Sequence, residues 1–205
     1  FRLAHLHFDD EILEVSTFRR TAVPSDQPAV EEAESDQHLP RYVKDDDGMI
    51  IRDNLFGTPE EDALCRDFTI NALAYSIADF SVIDYSSGFS DLRQRLIRPI
   101  GDSQVRFSED PVRMLRAVRF AASHDFTIEP SAWKSICELA PAIARVSPAR
   151  LYEEVQKIVL FGSARPALDL LGQSGLLAAL LPRLDRWLAG DGDRMAILRG
   201  NLDAV

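Results

Sequence analysis

The opening residues alternate. Leu3-Ala4-His5-Leu6-His7-Phe8 and Glu11-Ile12-Leu13-Glu14-Val15-Ser16 each read as a short strand, and Asp9-Asp10 between them is a turn signal, so the chain begins with a predicted β-hairpin. The pattern then lapses. Between Pro24 and Asp62 there are twelve acidic residues against three basic ones, and apolar positions are sparse until Met49. Such a stretch buries too little apolar surface to offset the entropy of ordering it, so residues 24–47 are expected to form a mobile acidic loop. Thr58-Pro59-Glu60-Glu61 supplies an N-cap, a proline at the first helical position and early carboxylates, which together predict a helix start. Helical apolar spacing continues through Phe68, Ile70, Leu73, Ala74 and Ile77. SVIDYSSG then reads as strand and turn, and RLIRPIG as another short strand.

Beyond Gly101 the periodicity is helical. Predicted helices run over 110–123, 131–144, 148–161 and 165–171, with a weaker one ending the chain; Thr-Ile-Glu-Pro at 127–130 and Ser-Pro at 147–148 punctuate them. A boundary near 101–104 therefore separates a mixed α/β piece from an all-α piece.

Composition narrows the function classes. The 205 residues carry 23 Lys and Arg against 33 Asp and Glu, a net charge of −10, with 46% hydrophobic side chains, so the chain is folded and acidic rather than disordered. Two cysteines, Cys65 and Cys137, are too few for a disulfide framework or a structural metal cage and favour a reducing compartment. No apolar run reaches the roughly 20 residues that span a bilayer, so no membrane partner is expected and the default setting is cytoplasmic. His5 and His7 share a strand face without two further ligands nearby, which argues against zinc. Neither a nucleophile-elbow serine motif nor a P-loop is present.

Three places carry candidate chemistry. Arg66-Asp67 follows Glu60, Glu61 and Asp62, and either this is a solvated, charged helix turn or Arg66 contacts a phosphate or base that Asp67 helps orient. In Glu109-Asp110-Pro111-Val112-Arg113-Met114-Leu115-Arg116-Ala117-Val118-Arg119, arginines recur every three residues on a helix beginning at Asp110-Pro111. Seven arginines and no lysine fall between Arg93 and Arg119. Either they pair with the acidic loop, or their planar guanidinium forks bind phosphates and base edges while Asp110 accepts from an exocyclic amino group. Glu14 is a strand carboxylate that fits an edge position facing water or a metal ligand in a cleft, and Thr17-Phe18-Arg19-Arg20 could add charge beside it.

Taken in order, EVSTFR (14–19), GMIIRDNLFGTPEEDALCRDFTINALAY (48–75) and EDPVRMLRAVRFAA (109–122) resemble the class II polynucleotide nucleotidyltransferases, the family of bacterial poly(A) polymerases and tRNA CCA-adding enzymes. FRLAHLHF and GMIIRDNLFGTPEEDA resemble the poly(A) polymerase branch more than the CCA-adding one. The resemblance implies an α+β fold, a partial nucleotidyltransferase head with a small mixed sheet over 1–101, followed by an incomplete α-helical neck and RNA-binding domain over 102–205. It implies addition of AMP from ATP to RNA 3′ ends with two Mg2+ ions. Arg66 would contact the incoming nucleotide, Asp67 would be a catalytic carboxylate, and Asp110 with Arg113 would read the base edge. Arg116 and Arg119 would support them or bind phosphate, and Glu14 would add a carboxylate near the metals. ATP and the RNA 3′ end are the implied partners.

Two departures accompany it. The family's Gly-Gly-x-Val-Arg-Asp turn and its Asp-x-Asp pair, the principal metal ligands, would precede Phe1, so these 205 residues alone are expected to be inactive. Cys65 stands where the family usually has the first of two arginines. A CCA-adding enzyme and a non-catalytic nucleotide- or RNA-binding module are the alternative readings.

Overall fold

The computed structural model describes residues 3–20, 42–44, 50–53, 56–160, 163–190 and 192–202. Strands β1 (Leu3–Phe8) and β2 (Glu11–Ser16) form the expected antiparallel hairpin, with Leu6 opposite Leu13 and His5 opposite Glu14. Asp9 takes the left-handed backbone that such a turn requires. Most of the predicted acidic loop at 24–47 lies outside the described residues. Within it, Tyr42–Lys44 forms β3, paired antiparallel with β4 (Ile50–Asp53).

Helix α1 (Pro59–Cys65) begins where the sequence predicts. Thr58 Oγ1 accepts from the Glu61 N–H and Glu61 Oε2 accepts from the Thr58 N–H, a reciprocal capping box. The predicted continuation through Ile77 does not occur: Arg66 turns extended and ends the helix. The cause is local and tertiary together. Asp67 Oδ1 accepts from the Phe68 N–H and the Asn71 side-chain amide, while Thr69 N–H donates to Arg98 O and Ile100 N–H to Asp67 O. These bonds pull Phe68 into the interior, where it is completely buried. A side chain competing for backbone donors plus a large buried ring outweighs helical spacing. After a single 3₁₀ turn (Thr69–Asn71), β5 (Ala74–Ser76) pairs antiparallel with β6 (Ser81–Ile83).

Helix α2 (Gly88–Arg93), absent from the sequence reading, starts beneath Asp84, whose carboxylate accepts from the N–H groups of Ser86, Gly88 and Phe89. Gly88 is required there, because a Cβ would sit 2.1 Å from Thr69 O. Strand β7 (Leu96–Ile97) pairs in parallel with β8 (Thr127–Ile128), a strand that interrupts the predicted all-helical half. Helix α3 (Ser103–Glu109) was also unanticipated; its N-cap is Asp102.

The helices beyond follow their predicted positions closely: α4 (Val112–His124), α5 (Pro130–Leu139) with a 3₁₀ turn at Ala140–Arg145, α6 (Pro148–Leu160) and α7 (Ala164–Gln173). The terminal weak helix is three: α8 (Leu176–Leu180), α9 (Pro182–Ala189) and α10 (Gly192–Leu202). Helix α4 is the axis of the core, burying Val112, Met114, Leu115, Ala117, Val118 and Ala121 in one cluster with Phe68, Ile97, Phe107 and Ile136. Burying each large side chain contributes roughly 1.5–3 kcal/mol. Among the described residues no helix is long and apolar enough to cross a membrane.

Candidate nucleotide-binding cleft

A cleft of about 550 Å³ opens where the end of α1, the first two turns of α4 and the inner edge of α6 meet. Six cationic side chains, Arg19, Arg66, Arg113, Arg116, Arg150 and Lys157, line it beside four carboxylates, a concentration of cations in a chain of net charge −10.

The arginines are held, not loose. Arg66 donates from Nε and Nη2 to Asp62 Oδ2 at 3.1 and 2.5 Å, one helical turn back. Asp62 is buried and also accepts from the Arg19 N–H through Oδ1. Arg106, almost covered, donates from Nη2 to the carbonyls of Cys65 and Arg66 and thereby ties α3 to the end of α1. Arg113 donates from Nη1 to Arg106 O at 2.8 Å and to Glu109 Oε2 at 3.3 Å.

Asp67 is nine-tenths buried. Its Oδ2 accepts from Arg116 Nε at 2.6 Å, while Oδ1 serves Phe68 N–H and Asn71. Burial pushes its carboxyl pKa up, but the Arg116 guanidinium and these hydrogen bonds outweigh burial and hold it below the ordinary carboxylate range. Arg116 also reaches Glu154 Oε1 through Nη1 at 3.5 Å. Arg119 turns away from the cleft: its Nε donates to Glu154 Oε2 at 2.9 Å and its guanidinium lies 4.2 Å above the Phe120 ring.

Asp110 is the least satisfied of the group. Oδ2 accepts from Arg150 Nη2 at 2.8 Å, but Oδ1 is buried and has no partner among the described residues. Asp110 and Arg113 both line the cleft, the one with an unpartnered buried oxygen, the other with a guanidinium anchored on Arg106 O and Glu109.

The structure thus brings Arg66, Asp67, Asp110, Arg113 and Arg116 to one cleft, with Cys65 at its rim, places Arg119 behind it, and leaves Glu14 elsewhere. Glu14 pairs with His5 Nε2 at 3.4 Å across the exposed hairpin. Among the described residues no three His, Cys, Asp or Glu side chains converge. They do not make up a two-metal site on their own. Among the described residues Arg113, Arg116 and Arg119 pair with Glu109, Asp67 and Glu154; most of the acidic loop, which the sequence suggested as a possible partner, lies outside them.

Sequence reasoning missed Asp62, Arg150, Glu154 and Lys157 as site residues. A signal existed for Glu154: with Leu151 and Ile158 it lies on the inward stripe of α6, and a carboxylate on an apolar stripe needs a buried partner.

Comparison with known proteins fits this geometry. The family description "Poly A polymerase head domain" matches residues 1–98, and "Probable RNA and SrmB-binding site of polymerase A" matches residues 125–188. The chain is 44% identical over 193 residues to poly(A) polymerase I of Salmonella typhi, covering 94% of this chain and 39% of that enzyme. It is 41% identical over 126 residues to a CCA-adding enzyme of Bacillus licheniformis, covering 62% of this chain and 31% of that one. Its fold is similar to the crystal structure of the Bacillus stearothermophilus CCA-adding enzyme in complex with CTP, with a TM-score of 0.67 and 30% identity over 87% of this chain and 38% of that one. With its mixed head segment, its helical continuation and the cleft between them, the chain belongs to the class II polynucleotide nucleotidyltransferase family of bacterial poly(A) polymerases and CCA-adding enzymes.

Proposed function

We propose that the chain is the nucleotide-selecting part of a bacterial poly(A) polymerase that transfers AMP from ATP to RNA 3′ ends, in a cytoplasmic setting. In this reading residues 1–101 are the later part of the head and residues 102–205 the start of the helical neck. The observation that carries it is the presence in one cleft of Arg113 and of Asp110, whose Oδ1 has no partner among the described residues. Adenine presents an amino donor next to a ring-nitrogen acceptor. Asp110 accepts from the first and Arg113 donates to the second, whereas uracil and guanine present the opposite pattern and meet like against like. Arg116 and Lys157 supply positive charge for the triphosphate, and Arg66, anchored by Asp62, stands at the rim as a further phosphate or sugar contact.

The reaction then needs orientation above all. The RNA 3′-hydroxyl oxygen attacks the α-phosphorus, the bond from that phosphorus to the oxygen bridging to the β-phosphorus breaks, the hydroxyl proton passes to water, and pyrophosphate leaves with the bond's electron pair. Fixing the base against one helix places the α-phosphorus for in-line approach. The resemblance implies two Mg2+ ions that would neutralise the triphosphate, with Asp67 as the carboxylate of this chain that would help hold them.

Identity over nearly the whole chain to the Salmonella typhi poly(A) polymerase I favours AMP addition. A CCA-adding activity is the second reading, favoured by the similarity to an enzyme in complex with CTP, since cytosine carries the same amino-and-acceptor pair as adenine. Incorporation assays on the full-length protein separate them: sustained addition from ATP to any RNA supports the first, and ordered addition from CTP then ATP to tRNA lacking its terminus supports the second. Arg113→Ala in that protein is expected to weaken selection of ATP over GTP and UTP by about 1–3 kcal/mol. Undiminished selection contradicts the base-reading role.

A further inference from the structure

Glu154 collects more cations than a buried carboxylate needs. On α6, with its side chain 7% exposed, it accepts from Lys157 Nζ at 3.0 Å and lies 3.5 Å from Arg116 Nη1 through Oε1, and it accepts from Arg119 Nε at 2.9 Å through Oε2. A single ion pair with further hydrogen bonds would offset the cost of burying it. Arg119 and Lys157 already provide that. Arg116 is different in kind, because its Nε is committed to Asp67 Oδ2 and its Nη1 to Glu154. The planar guanidinium cannot turn to serve one carboxylate without moving relative to the other. An unbroken chain, Asp67 to Arg116 to Glu154, therefore runs from the segment matching the head description to the segment matching the RNA-binding description.

We propose that Glu154 is a positioning residue for nucleotidyl transfer: acting through Arg116, it fixes the orientation of Asp67 and links the setting of that carboxylate to the position of α6. The proposal rests on the nucleotidyltransferase reading above. Glu154 also tempers the local charge, since without it Arg119 and Lys157 lose this carboxylate and Arg116 keeps only its bond to Asp67. The two effects pull kinetics in opposite directions. Neutralising Glu154 leaves a more positive cleft that attracts triphosphate at least as well, while Arg116 shifts and Asp67 is misplaced.

The test is steady-state AMP incorporation onto an RNA oligonucleotide by the full-length enzyme, with thermal unfolding followed in parallel. Glu154→Gln is expected to lower kcat on the order of 10-fold, with KM for ATP unchanged or reduced. Glu154→Asp keeps the charge in the fold but withdraws it from Arg116, and is expected to give a kcat between the other two. A wild-type kcat in both variants, or a loss of kcat that only tracks the unfolded fraction at the assay temperature, overturns the proposal. Arg113→Ala serves as the control. If it leaves ATP selection intact, the adenine-reading site itself fails; if it weakens selection while both Glu154 variants keep wild-type kcat, only the positioning role fails.

Discussion

Arg116 Nε lies 2.6 Å from Asp67 Oδ2, across 49 residues of sequence, and this bond is the closest electrostatic link between the end of α1 and the long helix α4. Both side chains are mostly covered, so the pair is screened little by water or salt. It converts an arginine ladder, which on a free helix would be a solvated face, into a wall of a cleft. Several consequences can be measured.

Asp67→Asn removes the charge that Arg116 faces but keeps an oxygen able to accept from the Phe68 N–H. Far-UV circular dichroism is expected to stay near wild type, with a loss of stability of about 1–3 kcal/mol. Turnover of the full-length enzyme is expected to fall sharply. An unaffected rate would reduce Asp67 to a turn-forming residue.

Acid should loosen the cleft, and only below the pH at which ordinary carboxylates titrate. Burial alone would raise the carboxyl pKa values of Asp67 and Glu154. For Asp67 the Arg116 guanidinium, and for Glu154 the hydrogen bonds from Lys157 and Arg119, outweigh it and hold both below the ordinary range. Their contribution to stability is therefore fully present above about pH 4–5 and is lost as pH falls through the depressed folded values. Urea midpoints taken between pH 7 and pH 3 are expected to drop steeply at the acid end for the wild type and less steeply for Arg116→Met. Parallel curves would remove the ion pairs from the account.

Phe68→Ala tests the joint between the two halves of the chain. The ring is completely buried and packs edge-on against Phe120, with centroids 5.8 Å apart. Its removal is expected to cost about 3–5 kcal/mol, read as a lower denaturation midpoint. A change below 1 kcal/mol would mean that the region collapses to fill the space.

Gly88→Ala should be felt far beyond one methyl group. The new Cβ would meet Thr69 O, a backbone atom whose segment is pinned by the Thr69 hydroxyl bond to buried Asp91 and the Arg98 pair. Destabilisation of about 1–3 kcal/mol is expected in thermal unfolding. A neutral outcome would show that α2 can shift away from the 3₁₀ turn.

Much of this was legible before the structure, for physical reasons that differ by element. The hairpin and the start of α1 announce themselves because alternation, Asp9-Asp10 and Thr58-Pro59 act locally. Helix α4 is legible because its apolar spacing points to the one face that is buried. The end of α1 is not legible, since Asp67 stops helical continuation only by taking backbone and side-chain donors while Phe68 drops into a core assembled from α4 and β7. Strand β8 is two residues long and exists through its parallel partner thirty-one residues earlier. In the cleft, Arg66-Asp67 and Asp110–Arg113 stand out by type and spacing. Arg150 does not, because its role comes from the packing of α6 against α4; for Glu154 the inward stripe of α6 signals a buried carboxylate but not which cations it meets.

The most direct measurement of the central claim is a crystal structure of the full-length protein soaked with ATP. The adenine amino nitrogen is expected within about 3 Å of Asp110 Oδ1, with Arg113 on the adjacent ring nitrogen. A purine ring seated away from the start of α4, with Asp110 and Arg113 unchanged, would contradict it.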